Sequence, residues 1–470
     1  MDPGQSGGRA SEHAGHELGE RSRHRGLSGA ALEVYGRNYF GHEVRRSLHL
    51  GCGGVRRGRI LIRHRLYDDQ VTKLLCGGWG STIGVVNFAV MEDNRSAPCD
   101  LSTHSVVDLF AGPGGIDVAA TWLGMSAVGV EWDDEAVATR KKAGLKTRNR
   151  DVRTLGPGHF PKETVLAGGP PCQTFTVAGS GSGRDALDDV LQLVQRMARS
   201  EDVSSSLKGL DDERTGLVLE PLRWVLQAHA AGRPYEAVVL EQVQTVLPVW
   251  EAMKPVLESL GYKVVCTVLR TEEFGVPQTR RRAVLLANRK VTPIHPVPTH
   301  QAYRAGMARG TGESHLLPWE SMGSALERGK WFEVVSNYGS GGISSARGRR
   351  TSEQPSATVT GKISRNRIVD HMGVEQKRFS PAEAGRLQTF PLDYKWVEQG
   401  WAQQVGNAMP PRLAVHALAA AFGQLPVTAQ LDKKVNGTWK RPGTKDTAVA
   451  TSVPGFMVEG GLDLDAAVAI

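Results

Sequence analysis

Cys172 is the residue of this 470-residue chain best placed to act as a nucleophile. It follows Gly168-Gly169-Pro170-Pro171 directly, at the end of an apolar segment, Thr164–Ala167, that reads as a buried strand. The two prolines stiffen the loop and fix its direction. A thiolate is the side-chain form suited to covalent attack. Free thiols titrate near about 8.5, so the surroundings must favour the anion through cations or helix N-termini. The other four cysteines (Cys52, Cys76, Cys99 and Cys266) are scattered, and no C-x-x-C pair occurs. They read as small apolar residues. Their pattern argues against a disulfide framework or a metal site and for a reducing cytoplasm.

A second constellation precedes it. Asp108-Leu109-Phe110-Ala111-Gly112-Pro113-Gly114-Gly115 stands at a strand-to-helix junction. Glycines there let the backbone turn tightly against a ligand, and the helix N-terminus offers free N–H groups to a carboxylate. Asp117 occupies the place of the third glycine of a dinucleotide site, which disfavours NAD or FAD. Glu131 lies 19 residues after Gly112, at the end of the next strand, where doubly wound folds hold ribose hydroxyls. Trp132 beside it belongs to the same candidate site. Asp151 follows a strand in Lys146–Arg150 and is either a further cofactor residue or a helix N-cap. Together these residues predict a nucleoside-containing cofactor.

The elements that must position these groups alternate between strand and helix from Ser105 onward. Ser105–Phe110, Ala127–Glu131, Thr164–Ala167 and Ala237–Glu241 read as buried strands, with helices at Ile116–Leu123 and Thr215–Ala230. Lys263–Leu269 and Arg282–Ala287 are two further strands close enough to pair. This predicts an α/β fold with a doubly wound, mostly parallel sheet over residues 101–290. Residues 180–210 read as a surface loop with a short helix. Residues 291–380 lose the alternation and read as a smaller second domain with long loops. Pro381–Leu387 and Pro411–Phe422 look helical, within a part at 381–424 that returns to the first domain. The rest, 425–470, reads as a flexible tail. Residues 1–100 read as a disordered or loosely folded extension in which Arg59–Leu66 could be strand, with Met91 an alternative start.

Charge sharpens the division. Between Arg280 and Arg378 there are 17 Lys and Arg against 7 Asp and Glu, while the whole chain carries +8. A local basic excess of this kind suits a polyanion, whose counterions it releases. No apolar run approaches the roughly 20 residues needed to span a bilayer, so no membrane association is expected.

In order and spacing these segments resemble the DNA cytosine-5 methyltransferases of bacterial or phage type. The resemblance runs from residue 108 to about 414 and takes in the Gly-rich turn at 108–115, Gly168–Gln173 and Gln278-Thr279-Arg280-Arg281-Arg282. It continues through Arg386–Pro391 and Gln404-Val405-Gly406-Asn407-Ala408-Met409-Pro410-Pro411. It implies a class I, Rossmann-like methyltransferase domain using S-adenosyl-L-methionine, with Pro171, Asn407 and Ala408 added to the cofactor site. It implies that Cys172 adds to C6 of a flipped cytosine and that Glu241, kept protonated by a desolvated pocket, donates to N3. Arg282 then holds O2, and Arg280 supports the loop or a phosphate. The target-recognition region falls at 291–380. Arg347, Arg349, Arg350, Lys362, Arg365 and Arg367 are its candidate contacts to double-stranded DNA, and Thr176, after Cys172, occupies the position of a phosphate-contacting hydroxyl in the family.

One departure stands out: Gln242 follows Glu241 where the family usually has Asn. Two other readings therefore accompany the main one, a tRNA cytosine-5 methyltransferase and a DNA-binding relative without catalysis. The main reading carries with it a cytoplasmic monomer and a paired restriction endonuclease.

Overall fold

The computed structural model describes residues 30–37, 43–50, 99–171, 187–210, 212–339, 347–444 and 446–454. Two compact units divide the chain. In the first, β1 (Ala30–Arg37) pairs antiparallel with β2 (Glu43–Leu50), so this part of the extension holds a hairpin where the sequence suggested little structure. Arg59–Leu66 lies outside the described residues.

The second unit spans Val90–Pro454. Its strands are β3 (Ser105–Leu109), β4 (Ser126–Glu131), β5 (Thr147–Asn149), β6 (Val165–Gly168), β7 (Ala237–Val243), β8 (Lys263–Arg270) and β9 (Arg281–Asn288). They form one sheet in the order β5-β4-β3-β6-β7-β9-β8. All pairings from β5 to β7 are parallel, and β9 is antiparallel to both β7 and β8. Successive residues of a strand face opposite sides of a sheet, and here both sides are covered. Val106, Val239 and Leu286 enter one apolar cluster, while Val107, Val238 and Leu285 enter the other. That explains why these strands read as unbroken apolar runs.

Helices α1 (Gly115–Trp122) and α2 (Asp134–Ala143) follow β3 and β4. Helices α3 (Leu187–Ala198), α4 (Glu220–Ala230) and α5 (Leu247–Ser259) bury their apolar stripes in the second cluster. Residues 187–198 are thus a three-turn helix with Val190, Leu193, Val194 and Met197 inside, more than the short helix expected for a surface loop. The helical spacing read at Thr215–Ala230 is split into a short helix at Glu213–Gly216, a 3-10 turn at Leu217–Leu219 and α4, whose second residue is Pro221.

Beyond β9, strands β10 (Glu333–Gly339), β11 (Arg347–Thr351), β12 (Arg367–Val369) and β13 (Glu375–Gln376) make an antiparallel sheet in the order β11-β10-β12-β13. Its cluster includes Phe332, Val334, Val359, Ile368 and Phe379. The same cluster takes in Ala384 and Leu387 of α6 (Pro381–Leu387) and Val405 of α7 (Trp401–Asn407). Helix α8 (Pro411–Ala421) returns to the first cluster beside α1. The final segment corrects an expectation. Residues 425–454 contain β14 (Leu425–Pro426), α9 (Thr428–Val435) and β15 (Thr451–Ser452), and they bury Leu431, Val435 and Val449 in the first cluster. Among the described residues, no helix is long and apolar enough to cross a membrane.

Candidate active site

The parallel register brings the ends of four strands to one edge. Leu109 pairs with Val130 and with Gly168, and Gly168 pairs with Leu240. Phe110, Glu131, Gly169 and Glu241 therefore emerge together beside the point where strand order reverses, between β3 and β6. A cavity of about 420 Å³ lies at that edge, lined by Asp108, Phe110–Pro113, Gly115, Glu131 and Trp132 on one side. Pro170, Pro171, Glu241, Gln242, Arg280 and Arg282 also line it.

The Gly-rich turn is held atom by atom. The Gly112 N–H donates to Glu131 Oε2 at 2.7 Å, and Glu131 Oε1 accepts from the N–H groups of Trp132 and Asp133, each at 2.8 Å. The Tyr394 hydroxyl donates to the Pro113 carbonyl at 2.5 Å. Phe110 has φ 59°, in the left-handed region. At Gly115 a Cβ would stand 2.1 Å from the Met409 carbonyl oxygen, so only glycine lets the two segments meet. Behind the turn, Asp117 and Arg140 form a fully buried two-pronged ion pair at 2.7 and 2.8 Å. The acid in place of a third glycine thus ties α1 to α2. Asp108 is buried beside that pair, and burial together with Asp117 pushes its carboxyl well above the usual range. Its Oδ1 has no hydrogen-bond partner among the described residues. Asp151 both lines the cavity and caps the turn at Val152–Thr154, and hydrogen bonds from Arg153 hold its carboxyl below the usual range.

This donor set fits a nucleoside cofactor. A carboxylate stands at the strand end, the Trp132 ring is 64% exposed, and an open backbone turn precedes a helix N-terminus. Asn407 and Ala408 line the same cavity, at the C-terminal end of helix α7.

Across the cavity, Arg282 Nε lies 2.7 Å from Glu241 Oε1, with both side chains about nine-tenths buried. Glu241 therefore faces a guanidinium. Gln242 Nε2 donates to the Pro170 carbonyl, and its Oε1 accepts from the Val243 N–H. Arg280 is buried and donates to the carbonyls of Val359, Gly406 and Ala408 at 3.0, 3.0 and 3.4 Å. Through these bonds it ties the segments at 359 and 406–408 to the start of β9. Gln278 works beside it, accepting from the Val359 N–H at 3.0 Å and donating to the Leu387 carbonyl at 3.1 Å and to Gln388. This glutamine network, Tyr394 and the Asp117–Arg140 pair were missed in the sequence; the buried Gln278 preceding Arg280–Arg282 was the available signal.

Cys172 and Thr176 lie outside the described residues, as does Ser340–Ala346 between β10 and β11. Arg347, Arg349 and Arg350 lie on β11, and Arg349 forms an exposed ion pair with Glu333. The Arg350 guanidinium stacks 4.6 Å from the Tyr303 ring centroid. Lys362 and Arg365 flank and end the 3-10 turn at Ile363–Arg365, and Arg367 pairs with Glu375 at 3.3 Å. These cations are not drawn into the cavity: none of them lines it.

Residues 104–422 match the family model of C-5 cytosine-specific DNA methylases. The type II methyltransferase M1.HphI of Haemophilus parahaemolyticus is 30% identical over 349 residues, covering 67% of this chain and 85% of that protein. M.BsuRI of Bacillus subtilis is 25% identical over 381 residues, 66% of this chain and 77% of that one. Among solved structures, the S. pombe Dnmt2 methyltransferase aligns with a TM-score of 0.44 and 15% identity, covering 68% of this chain and 98% of its own.

Proposed function

We propose a mechanism for this chain from the premise that it belongs to the C-5 cytosine-specific DNA methylase family, whose activity is methylation of cytosine C5 in DNA. The methyl donor is S-adenosyl-L-methionine, which supplies an electrophilic methyl group when bound. The turn at Phe110–Gly115, Glu131, Trp132, Asp151, Asn407 and Ala408, which border one cavity, would hold it.

C5 of cytosine is a weak nucleophile, and the chain must activate it. The Cys172 thiolate adds to C6, moving electron density onto the ring toward N3 and O2. Glu241 holds N3 by a hydrogen bond and Arg282 steadies the charge at O2. Once C5 carries the methyl group, a base takes the C5 proton and the C6–S bond breaks with its electron pair returning to Cys172, restoring the aromatic ring. In a duplex, C6 is hidden within the stack, so the target cytosine must leave the helix to reach Cys172. We assign target recognition to residues 291–380, where Arg347, Arg349, Arg350, Lys362, Arg365 and Arg367 supply cations to double-stranded DNA. A restriction endonuclease is the matching partner, and the enzyme acts as a monomer.

The observation that carries this reading is a single cavity bounded by both the Gly112–Glu131 turn and the Glu241–Arg282 pair, with Pro170-Pro171 leading from it to Cys172. The test is transfer of a labelled methyl group to duplex DNA, with tRNA as the competing substrate. Cys172→Ser abolishes transfer, and an undiminished rate in that variant overturns the role of the thiol. A cofactor-dependent covalent complex with 5-fluorocytosine DNA separates an active enzyme from a relative that only binds.

A further inference from the structure

The family match ends at residue 422, yet the chain continues as an ordered segment packed against the catalytic domain. Trp439, half-buried, is one of its polar anchors. Its Nε1–H donates to the Ala143 carbonyl at the end of α2 at 2.9 Å, and its backbone N–H donates to Asp393 Oδ1 at 2.7 Å. The Trp439 ring lies 5.7 Å from Tyr394, whose own ring is enclosed by Phe390 and Trp396 at 4.9 and 5.2 Å. Edge-on and tilted packing of this kind fixes an aromatic ring in one orientation.

Tyr394 is 3% exposed, and its hydroxyl reaches the Pro113 carbonyl at 2.5 Å. Pro113 lines the cofactor cavity. The next residue, Gly114, has φ 104°, and a Cβ there would stand 3.2 Å from the Tyr394 hydroxyl and 2.2 Å from Leu145. The phenol thus packs under the turn and satisfies a carbonyl that has no backbone partner among the described residues. Removing the hydroxyl leaves that carbonyl without its donor, and an unsatisfied buried acceptor is costly.

We infer that Tyr394, held in place by Trp439 of the C-terminal segment, is a positioning residue that sets the Gly-rich turn in its cofactor-binding shape. The inference rests on the reading of that cavity as the S-adenosyl-L-methionine site. It makes residues beyond the family's usual extent part of the cofactor machinery, acting through the turn without touching the ligand.

The experiment measures S-adenosylhomocysteine binding by calorimetry, and methyl transfer at saturating DNA, for the intact chain and for Tyr394→Phe, Trp439→Phe and Trp439→Ala. Tyr394→Phe raises Kd for the product cofactor and KM for the donor about tenfold, with kcat at saturating donor within about twofold. Trp439→Ala weakens binding in the same direction, and Trp439→Phe, which keeps a ring but loses the N–H, restores part of it. A general loss of stability lowers the active fraction and so reduces kcat, without the selective rise in KM. If the unaltered chain binds no S-adenosylhomocysteine, the cofactor reading itself fails. If it binds and Tyr394→Phe binds equally well, only the role given to Tyr394 fails.

Discussion

Gln242 is bonded to the segment that precedes Cys172 in the sequence: its side-chain N–H donates to the Pro170 carbonyl, two residues before that cysteine. The same amide accepts from the Val243 N–H, so both ends are engaged. The strand that carries Glu241 and the Pro170-Pro171 segment are thereby joined through one side chain. Shortening it by one methylene leaves it unable to span both bonds. Gln242→Ala is expected to slow single-turnover methyl transfer about tenfold to a hundredfold, the effect of about 1–3 kcal/mol for an abandoned buried acceptor. Gln242→Asn should lie between it and the native enzyme. Binding of S-adenosylhomocysteine should not change. An Asn variant as fast as the native chain removes any positioning role for the longer side chain.

The Glu241–Arg282 ion pair is a buried pair, and breaking one partner differs from removing both. Arg282→Met strands a carboxylate in a site about nine-tenths buried and is expected to cost about 3–5 kcal/mol in urea unfolding. Glu241→Gln combined with Arg282→Met removes the stranded charge and should recover a good part of that loss. Both variants lose methyl transfer, so stability and activity come apart. Equal destabilisation of the single and double variants excludes the stranded-charge explanation.

The strand ends were legible in the sequence because apolar runs covered on both faces stop where the site begins. Glu131 was legible because its distance from Gly112 is fixed by one helix and one strand. Glu241 lies on the strand that the apolar run marked, but its ion pair was not legible: Arg282 meets it across antiparallel strands, with Val243 paired to Arg282, and only the register brings them together. Tyr394 and Pro113 are separated by 281 residues, and no local pattern marks such a contact. The segment 425–454 escaped for the same reason. Its helix α9 is short and polar, burying only Leu431 and Val435, so its order comes from packing on distant elements. These include Arg386, whose Nη2 donates to Asn436 Oδ1 at 2.6 Å, and Arg412, which pairs with Asp432 at 2.5 Å.

Gly406 marks a close approach between helix α7 and residues 356–361. A Cβ at this position would lie 2.3 Å from both the Gly361 nitrogen and the Thr360 carbonyl carbon, which are backbone atoms. Gly406→Ala therefore has to displace Thr360-Gly361, and with them the Val359 and Gly406 carbonyls that Arg280 joins. Overpacking of this kind costs about 1–3 kcal/mol. The variant is expected to unfold at lower temperature and to bind S-adenosylhomocysteine more weakly, since Asn407 and Ala408 move with it. Native melting and binding would show that the contact relaxes without consequence.

His300 makes folding stability depend on pH below neutrality. Its imidazole is buried and shares a hydrogen bond at 2.9 Å with the Thr299 hydroxyl. Burial first, and then the nearby Arg412, push it down to about 4, against a small raising effect from Asp432. His416, also buried beside Arg412, is pushed well below its ordinary value. An unfolded histidine titrates near about 6.5, so between the two values the unfolded chain binds a proton that the folded chain refuses. The stabilisation is therefore complete above about 6.5 and is lost as pH falls toward about 4, by about 3 kcal/mol for His300. Carboxylates held below their ordinary range by ion pairs, such as Glu383, lose their share only at lower pH. Urea midpoints at pH 7.5 and pH 5 should differ less for His300→Gln than for the native chain, because glutamine has no proton to bind. The same pH dependence in both proteins would assign the acid sensitivity to other groups.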